Sequence, residues 1–215
     1  MLKTADTLRR PVLDLQIERL SIGGTRILGQ IDLQVLPAQT VALLGPSGVG
    51  KTSVLRIIAG LETRHAGRCD VRGRVGLVFQ EPTLLPWRTV LDNLCIPTGI
   101  TVQTALQALE DVGLAEREGD FPQQLSLGQQ RRLSLARAFA IQPDLLLMDE
   151  PFVSLDADLV EEMMALFQRL QHRHGVATIL VTHVAAEAKH LSDRIITLSG
   201  NPAQITDDLA NTAAL

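Results

Sequence analysis

A glycine-rich segment between two apolar patterns constrains the fold of this chain more than any other feature. It matches the pattern GxxxxGK[ST] in full and consists of Gly45, Pro46, Ser47, Gly48, Val49, Gly50, Lys51 and Thr52. The apolar run 40–44 before it predicts a buried strand, and the apolar positions 54, 55 and 58 after it share one face of a helix. A strand, this loop and a helix together predict a phosphate-binding loop.

The chemistry of phosphate binding explains why these residue types occur at this spacing. Glycines let successive backbone N–H groups curve around a phosphate without Cβ clashes, and the following helix directs its free N–H groups at the same anion. Lys51 is predicted to reach the β- and γ-phosphates, and the Thr52 hydroxyl is predicted to bind Mg²⁺. We assign Ser53, the next residue, to the same nucleotide site.

Two adjacent acids, Asp149 and Glu150, directly follow the apolar run 145–148. A phosphate-binding loop needs a partner carboxylate at the tip of a neighbouring strand to position Mg²⁺, and Asp149 suits that role through a bound water. Glu150 is the candidate general base, because a carboxylate there can accept a proton from the attacking water. The pair is specific only in combination with the loop, since acids after an apolar strand are otherwise its solvated end.

The order of apolar patterns along the chain predicts an α/β fold. Alternating segments at 12–17 and 31–35 are typical of antiparallel strands with one solvated face. Further strands, which alternate with helices, are predicted at 40–44, 75–79, 145–148, 176–181 and 194–198. We expect a P-loop NTPase with a mainly parallel core sheet, an N-terminal antiparallel β subdomain and an inserted helical subdomain. Within one domain, 1–215, residues 1–80 and 142–215 would form the core with the β subdomain, and residues 81–141 the helical subdomain.

Charge and composition exclude several classes of function. The chain of 215 residues has a net charge of −4 and no basic tail, so nothing indicates a nucleic-acid partner. It has no apolar stretch near the ~20 residues that a membrane-spanning helix needs. Residues 1–10 lack the apolar core of a signal peptide, and Cys69 and Cys95 lack metal-ligand spacing, which favours reduced thiols. A role at a membrane would therefore require docking on another subunit.

Four more motifs accompany the loop and the acid pair. They are Gln80 after the strand at 75–79, the signature run Leu125-Ser126-Leu127-Gly128-Gln129, the run Ser154-Leu155-Asp156, and His183. Together with the loop and the acid pair, their order and spacing resemble the ATP-binding subunits of ABC transporters over nearly the whole chain. Each motif alone would be a turn, a cap or a packed side chain, so the specificity lies in the combination.

This resemblance implies ATP hydrolysis, with ATP and Mg²⁺, in a homodimer whose subunits pair head to tail. Each ATP would lie between the loop of one subunit and the signature of the other. Ser126 and Gly128 are the signature residues assigned to the γ-phosphate, and Gln129 is assigned to the same nucleotide site. Gln80 would sense Mg²⁺ and the attacking water, Asp156 would lie at the dimer interface, and His183 would contact the γ-phosphate and orient Glu150.

The resemblance also places the chain peripherally on the cytoplasmic face of the plasma membrane, bound to a permease. The segment 81–90 would face that integral membrane subunit, and a solute-binding protein would act indirectly. The run 79–94 resembles bacterial importers for nitrate, aliphatic sulfonates or taurine. Trp87, Leu84 and Leu85 suit an apolar docking surface for a permease helix, or else they pack inside the helical subdomain. The sequence leaves both interpretations open.

Two positions depart from the family pattern. Leu127 stands where glycine is common in the signature, so a backbone with positive φ would be strained there and tolerance reduced. Ile22 takes the place of the aromatic residue that usually stacks on adenine, and the chain contains no Tyr. Adenine would then rest on an aliphatic surface and lose roughly 0.5–1.5 kcal/mol of ring interaction.

Other classes of function compete with a solute importer. An ABC ATPase of an export or lipoprotein-release system is the nearest alternative. An ABC ATPase acting on DNA or ribosomes would need a long coiled-coil insertion, a second ATPase domain or a basic face, none of which the sequence contains. A GTPase would carry an Asn-Lys-x-Asp motif, which is absent, and Glu150 and His183 argue against a non-hydrolysing regulator.

Overall fold

The fold consists of two β-sheets, with helices packed on the larger one. A computed structural model describes residues 10–211, so the prediction about a signal peptide in residues 1–10 lies almost wholly outside the described residues. The strands are β1 (Leu13–Ile22), β2 (Thr25–Leu28), β3 (Ile31–Val35), β4 (Thr40–Leu44), β5 (His65–Val71), β6 (Val75–Val78), β7 (Leu145–Asp149), β8 (Ala177–Thr182), β9 (Arg194–Ser199) and β10 (Gln204–Ala210). The helices are α1 (Lys51–Ile58), α2 (Val90–Thr98), α3 (Val102–Asp111), α4 (Leu127–Ala140), α5 (Ala157–His174) and α6 (Ala185–Leu191).

The larger sheet has six strands in the order β10-β9-β4-β8-β7-β6. Neighbours from β9 to β6 are parallel, and β10 pairs antiparallel with β9 at the edge. Every residue of the central strand β8 is buried, as expected for a parallel strand covered on both faces. Ligands of such sheets bind beyond the carboxyl ends of the strands. Three of the predicted motifs lie there, with Gly45 directly after β4, Glu150 directly after β7 and His183 directly after β8.

The smaller sheet is antiparallel and is organised around β1. This strand pairs with β5 along one part of its length, and also with β3 and β2. The predicted alternation in β3 is confirmed, because residues 31, 33 and 35 are buried and residues 32 and 34 are exposed. A turn connects β1 to β2, with positive φ at both Gly23 and Gly24.

Four elements have no clear pattern in the sequence, namely β2, β5, α6 and β10. The strands β5 and β10 carry mostly half-exposed or exposed residues, so they lack the apolar alternation of a half-buried strand. Helix α6 has only 7 residues, too few to show a helical period. Pairing with β1 and β9 therefore determines the positions of β5 and β10, rather than their own composition.

Helices α2, α3 and α4 lie between β6 and β7 in the chain, where the sequence predicts an inserted helical subdomain. One buried cluster joins their apolar faces to α5 and to Leu146 and Met148 of β7, and a second cluster joins α1 to both sheets. The boundaries at residues 81 and 141 stay a prediction. None of the helices in residues 10–211 combines the length and apolarity that a bilayer span requires.

Candidate nucleotide site

The phosphate-binding loop connects β4 to α1 and encloses the side chain of its own lysine. Lys51 is 4% exposed, and its Nζ donates to the carbonyl oxygens of Gly45 at 2.8 Å and Pro46 at 3.0 Å. Gly50 caps α1 with a φ of 117°, a left-handed conformation that suits glycine. A Cβ at Gly50 would lie 2.6 Å from Leu28 Cδ2, so the packing of β2 on the loop also favours glycine.

Thr52 and Asp149 meet where the loop approaches the end of β7. The Thr52 hydroxyl donates to Asp149 Oδ1 at 3.2 Å. Burial raises the pKa of Asp149, and the hydrogen bond from Thr52 opposes that rise. Gln80 lines the same cavity of about 190 Å³ as these two residues. The structure therefore brings together the three residues that the sequence assigns to Mg²⁺.

The donor set at this point fits Mg²⁺. Within residues 10–211, no group of three or more His, Cys, Asp and Glu side chains could hold a metal. A hydroxyl, one carboxylate and an amide oxygen are instead the few hard donors that Mg²⁺ uses when substrate phosphates and water complete its coordination. When bound, the ion would neutralise phosphate charge beside Thr52, Gln80 and Asp149.

Glu150 lies between a lysine and a histidine. Its Oε1 is 3.6 Å from Lys51 Nζ, and its Oε2 is 3.2 Å from His183 Nδ1. Glu150 has a φ of 46°, in the left-handed region that a non-glycine residue enters at a cost of about 1–3 kcal/mol. Its backbone N–H donates to the Val181 carbonyl at 2.9 Å, so β8 holds this conformation in place. The side chain that the sequence names as the general base is thus fixed between two partners.

A buried carboxylate that no sequence motif indicates supports His183. The Thr182 hydroxyl donates to Glu187 Oε2 at 2.5 Å and accepts from the Val184 N–H at 3.0 Å, so the residues on both sides of His183 are held. Glu187 is 9% exposed, and burial raises its pKa, which the hydrogen bond from Thr182 partly opposes. The available signal was an acid four residues after His183 in an otherwise mostly apolar segment.

These contacts gather an ammonium, a hydroxyl, two carboxylates and an imidazole at one edge of the sheet. Such a site can hold a polyphosphate and remove a proton from water beside it. A family model described as ABC transporter matches residues 28–153, more than half of the chain. The chain belongs to the ABC transporter family. The predicted family, fold class and activity class of an ABC ATPase are therefore confirmed.

Two relatives of this ABC ATPase share the same description, and a solved structure resembles its fold. The aliphatic sulfonates import ATP-binding protein SsuB 1 of Rhodococcus jostii is 47% identical over 191 residues, covering 86% of this chain and 77% of the relative. SsuB 2 of Burkholderia lata is 39% identical over 217 residues, covering 96% and 80%. The ATP-binding cassette MJ0796, solved as a dimer in a post-hydrolysis state with ADP and Pi, is 27% identical with a TM-score of 0.79, covering 92% of this chain and 98% of its own.

The signature run of the ABC ATPase forms the start of α4. Ser126 caps this helix: its Oγ accepts from the Gln129 N–H at 3.3 Å, and Gln129 Oε1 accepts from the Ser126 N–H at 2.9 Å. The expectation of strain at Leu127 is wrong, because Leu127 is the first residue of α4 and its φ is not positive. Its side chain is 45% exposed at the helix N-terminus, so it changes the surface rather than the backbone.

Gly128 and Asp156 both contact Leu159 of α5. A Cβ at Gly128 would lie 2.9 Å from Leu159 Cδ1, so the start of α4 packs closely on α5. Asp156 caps α5, and its Oδ1 accepts from the Leu159 N–H at 2.9 Å. The predicted interface aspartate and the predicted phosphate-binding glycine thus belong to one packed unit. Their roles toward ATP stay predictions.

Ile22 ends β1 with its side chain 50% exposed, so it is available to a ligand. We expect Ile22→Tyr to tighten ATP binding by roughly 0.5–1.5 kcal/mol, or about 2- to 12-fold in Kd, because an aromatic ring can stack on adenine. A binding titration with ATP measures the effect. Leu209→Tyr, at a 64% exposed position of β10, is the control and should leave Kd unchanged. Unchanged affinity of the Ile22 variant would mean that adenine is held elsewhere.

Proposed function

We propose that this ABC ATPase hydrolyses ATP to drive solute uptake through a separate membrane permease. The observation that carries this proposal is Glu150 held between Lys51 and His183, next to the Thr52–Asp149 pair. The names of its relatives favour aliphatic sulfonates as the solute within the nitrate, sulfonate and taurine group. The chain would act peripherally on the cytoplasmic face of the membrane.

In the proposed reaction, Lys51 exchanges its loop carbonyl partners for the β- and γ-phosphates of ATP. Thr52, Gln80 and Asp149 would hold Mg²⁺, which supplies positive charge against the phosphates. Glu150 accepts the proton of the attacking water. His183 orients the Glu150 carboxylate through the 3.2 Å contact and reaches toward the γ-phosphate. The pair formed by Thr182 and Glu187 keeps the His183 backbone in position.

A head-to-tail homodimer would complete the site. The solved structure of MJ0796 is described as dimeric, which supports the same assembly here. In such a dimer the capped N-terminus of α4 would offer its N–H groups to the γ-phosphate on the opposite subunit. Ser126 and Gly128 would contact that phosphate, with Gln129 holding Ser126 through the capping box. Asp156, on the same packed unit, would face the partner.

The proposed permease surface centres on Trp87. This side chain is 69% exposed, whereas Leu84 packs against the helical core and the Leu85 backbone is hydrogen-bonded to Asn93. Leu84 therefore fits packing inside the helical subdomain, whereas Trp87 fits a docking surface for the permease. Exposed aromatic side chains are frequent anchors of protein interfaces, so Trp87 is the residue we assign to the permease contact.

Reconstitution with a permease and a solute-binding protein tests this function. We expect Trp87→Glu to lower solute-stimulated transport by about thirtyfold, because loss of an aromatic anchor typically removes about 2 kcal/mol or more of binding. ATP hydrolysis by the isolated chain should not change. Val102→Glu, at a 55% exposed position at the start of α3, is the control and should transport normally. Normal transport by the Trp87 variant would remove Trp87 from the permease interface.

A further inference from the structure

One face of α4 holds the segment that directly follows Gln80. The Ser134 hydroxyl and Arg137 Nη2 each donate to the Pro82 carbonyl at 2.9 Å. Arg137 Nη1 also donates to the Thr83 carbonyl at 3.0 Å. Because α4 begins at the signature Ser126, these bonds connect the Gln80 segment to the signature run.

Arg131 lies on α4 one turn before Ser134 and is almost completely buried, with 5% exposure. Its Nη2 donates to the Val153 carbonyl at the long distance of 3.4 Å. Its Nε and Nη1 are buried and find no hydrogen-bond partner among residues 10–211. A buried donor left unpaired costs about 1–3 kcal/mol, and more when it is charged, so an acceptor that reached these two N–H groups would stabilise the state in which it bound them.

The negative charge of Glu81 acts on this guanidinium. Burial lowers the pKa of Arg131, and the negative charge of Glu81 opposes that change. Glu81 is exposed and directly follows Gln80, so it can move with that residue. On its other side, Arg131 contacts Val153, whose N–H donates to the Glu150 carbonyl at 3.3 Å. Arg131 thus bonds to the turn that carries Glu150, and it lies on the helix whose Ser134 and Arg137 hold Pro82 of the Gln80 segment.

We propose that Arg131 is a positioning residue that binds the Glu81 carboxylate when the Gln80 segment closes on the nucleotide. The buried N–H groups of Arg131 then gain their missing acceptor, and Gln80 is fixed relative to the Glu150 turn. The ion pair forms only in the closed state, so it favours closure. This inference rests on the proposed roles of Gln80 and Glu150 in ATP hydrolysis.

A double-mutant cycle on Glu81→Gln and Arg131→Met tests the pair. We expect each single variant to lower kcat about tenfold with KM for ATP within about twofold, and the double variant to be no slower than either, since coupled residues are non-additive. Trp87, the only tryptophan of the chain, follows Glu81 by six positions and reports closure by its emission. The change in that emission on adding Mg²⁺ and ATP should shrink equally in all three variants.

Two control variants each remove one charge of the same sign as Glu81→Gln and Arg131→Met do, at other positions. Glu118→Gln removes an exposed acid elsewhere in the helical region, and Arg132→Met removes the neighbouring arginine, which instead pairs with Glu162 on α5. Both should keep kcat and the emission change, and Glu81→Gln should retain its tenfold effect in the Arg132→Met background. Because Glu81 is exposed, its variant should also keep the wild-type melting temperature.

Wild-type kcat in Glu81→Gln, or effects of the two variants that multiply in the double variant, would overturn the proposal. The Glu81 variant alone decides the matter if Arg131→Met does not fold. Failure of the proposed function is distinguishable, because wild-type protein would then show no hydrolysis that depends on Glu150. The emission change reports closure without requiring hydrolysis.

Discussion

Glu150→Gln will reduce ATP turnover by about 10²–10⁴-fold, the range that a positioned general base contributes. Glutamine has nearly the same shape and can still bond to His183 at the site of the present 3.2 Å contact, but it cannot accept the proton of the attacking water. ATP binding should persist, since the loop is unchanged. The variant should therefore accumulate as an ATP-bound dimer, which size-exclusion chromatography with ATP and Mg²⁺ detects. Phosphate release at single turnover measures the loss of hydrolysis.

Glu161→Gln provides the matched control, since it makes the same change at an exposed position of α5. It should hydrolyse ATP at the wild-type rate and should not accumulate as a dimer. Normal hydrolysis by Glu150→Gln would remove Glu150 from the role of base and leave another group, or water alone, to take the proton.

Lys51→Ala will weaken ATP binding by about 10- to 100-fold, because hydrogen bonds to charged groups contribute about 1.5–3 kcal/mol. The wild-type protein at an ATP concentration of 100 times its Kd should gain about 2.7 kcal/mol in free energy of unfolding, and the variant should gain less than about 1.5 kcal/mol. Thermal or urea unfolding with and without ATP measures this difference. Lys51 is the cation that both approaches Glu150 and bonds to the loop carbonyls, so no other side chain at this site can replace it.

Arg64→Ala, at a side chain that is 91% exposed, removes a positive charge outside the site and should keep the full gain with ATP. Lys51→Met retains most of the side-chain volume, which separates loss of charge from a packing defect in the loop. An unchanged gain with ATP in both Lys51 variants would show that the phosphates bind elsewhere.

The sequence was most informative where chemistry depends on residues close in the chain. The loop from Gly45 to Thr52, the acids at the end of β7 and His183 after β8 were each predicted at the end of a strand, and parallel pairing brings those ends together. The apolar patterns also predicted the central strands, because buried elements carry their pattern in their own residues. Strands β5 and β10 lack such a pattern, since their neighbours rather than their composition hold them.

Other features depended on contacts between distant residues. Glu187 lies only four residues after His183, but the burial of its carboxylate is not visible in the sequence. The two unpaired nitrogens of the buried Arg131, Nε and Nη1, could be found only from its three-dimensional packing. The expectation of strain at Leu127 was wrong, because Leu127 begins a helix and helical residues have negative φ.

The left-handed backbone at Glu150 lowers the stability of the protein, whereas the side chain of the same residue is proposed to serve hydrolysis. Glycine would adopt the φ of 46° without the penalty of about 1–3 kcal/mol, yet it has no carboxylate to accept a proton. Selection for thermal stability alone would therefore favour loss of the base, whereas selection for turnover retains it. A library screened only for resistance to unfolding should for this reason be expected to enrich inactive protein at this position.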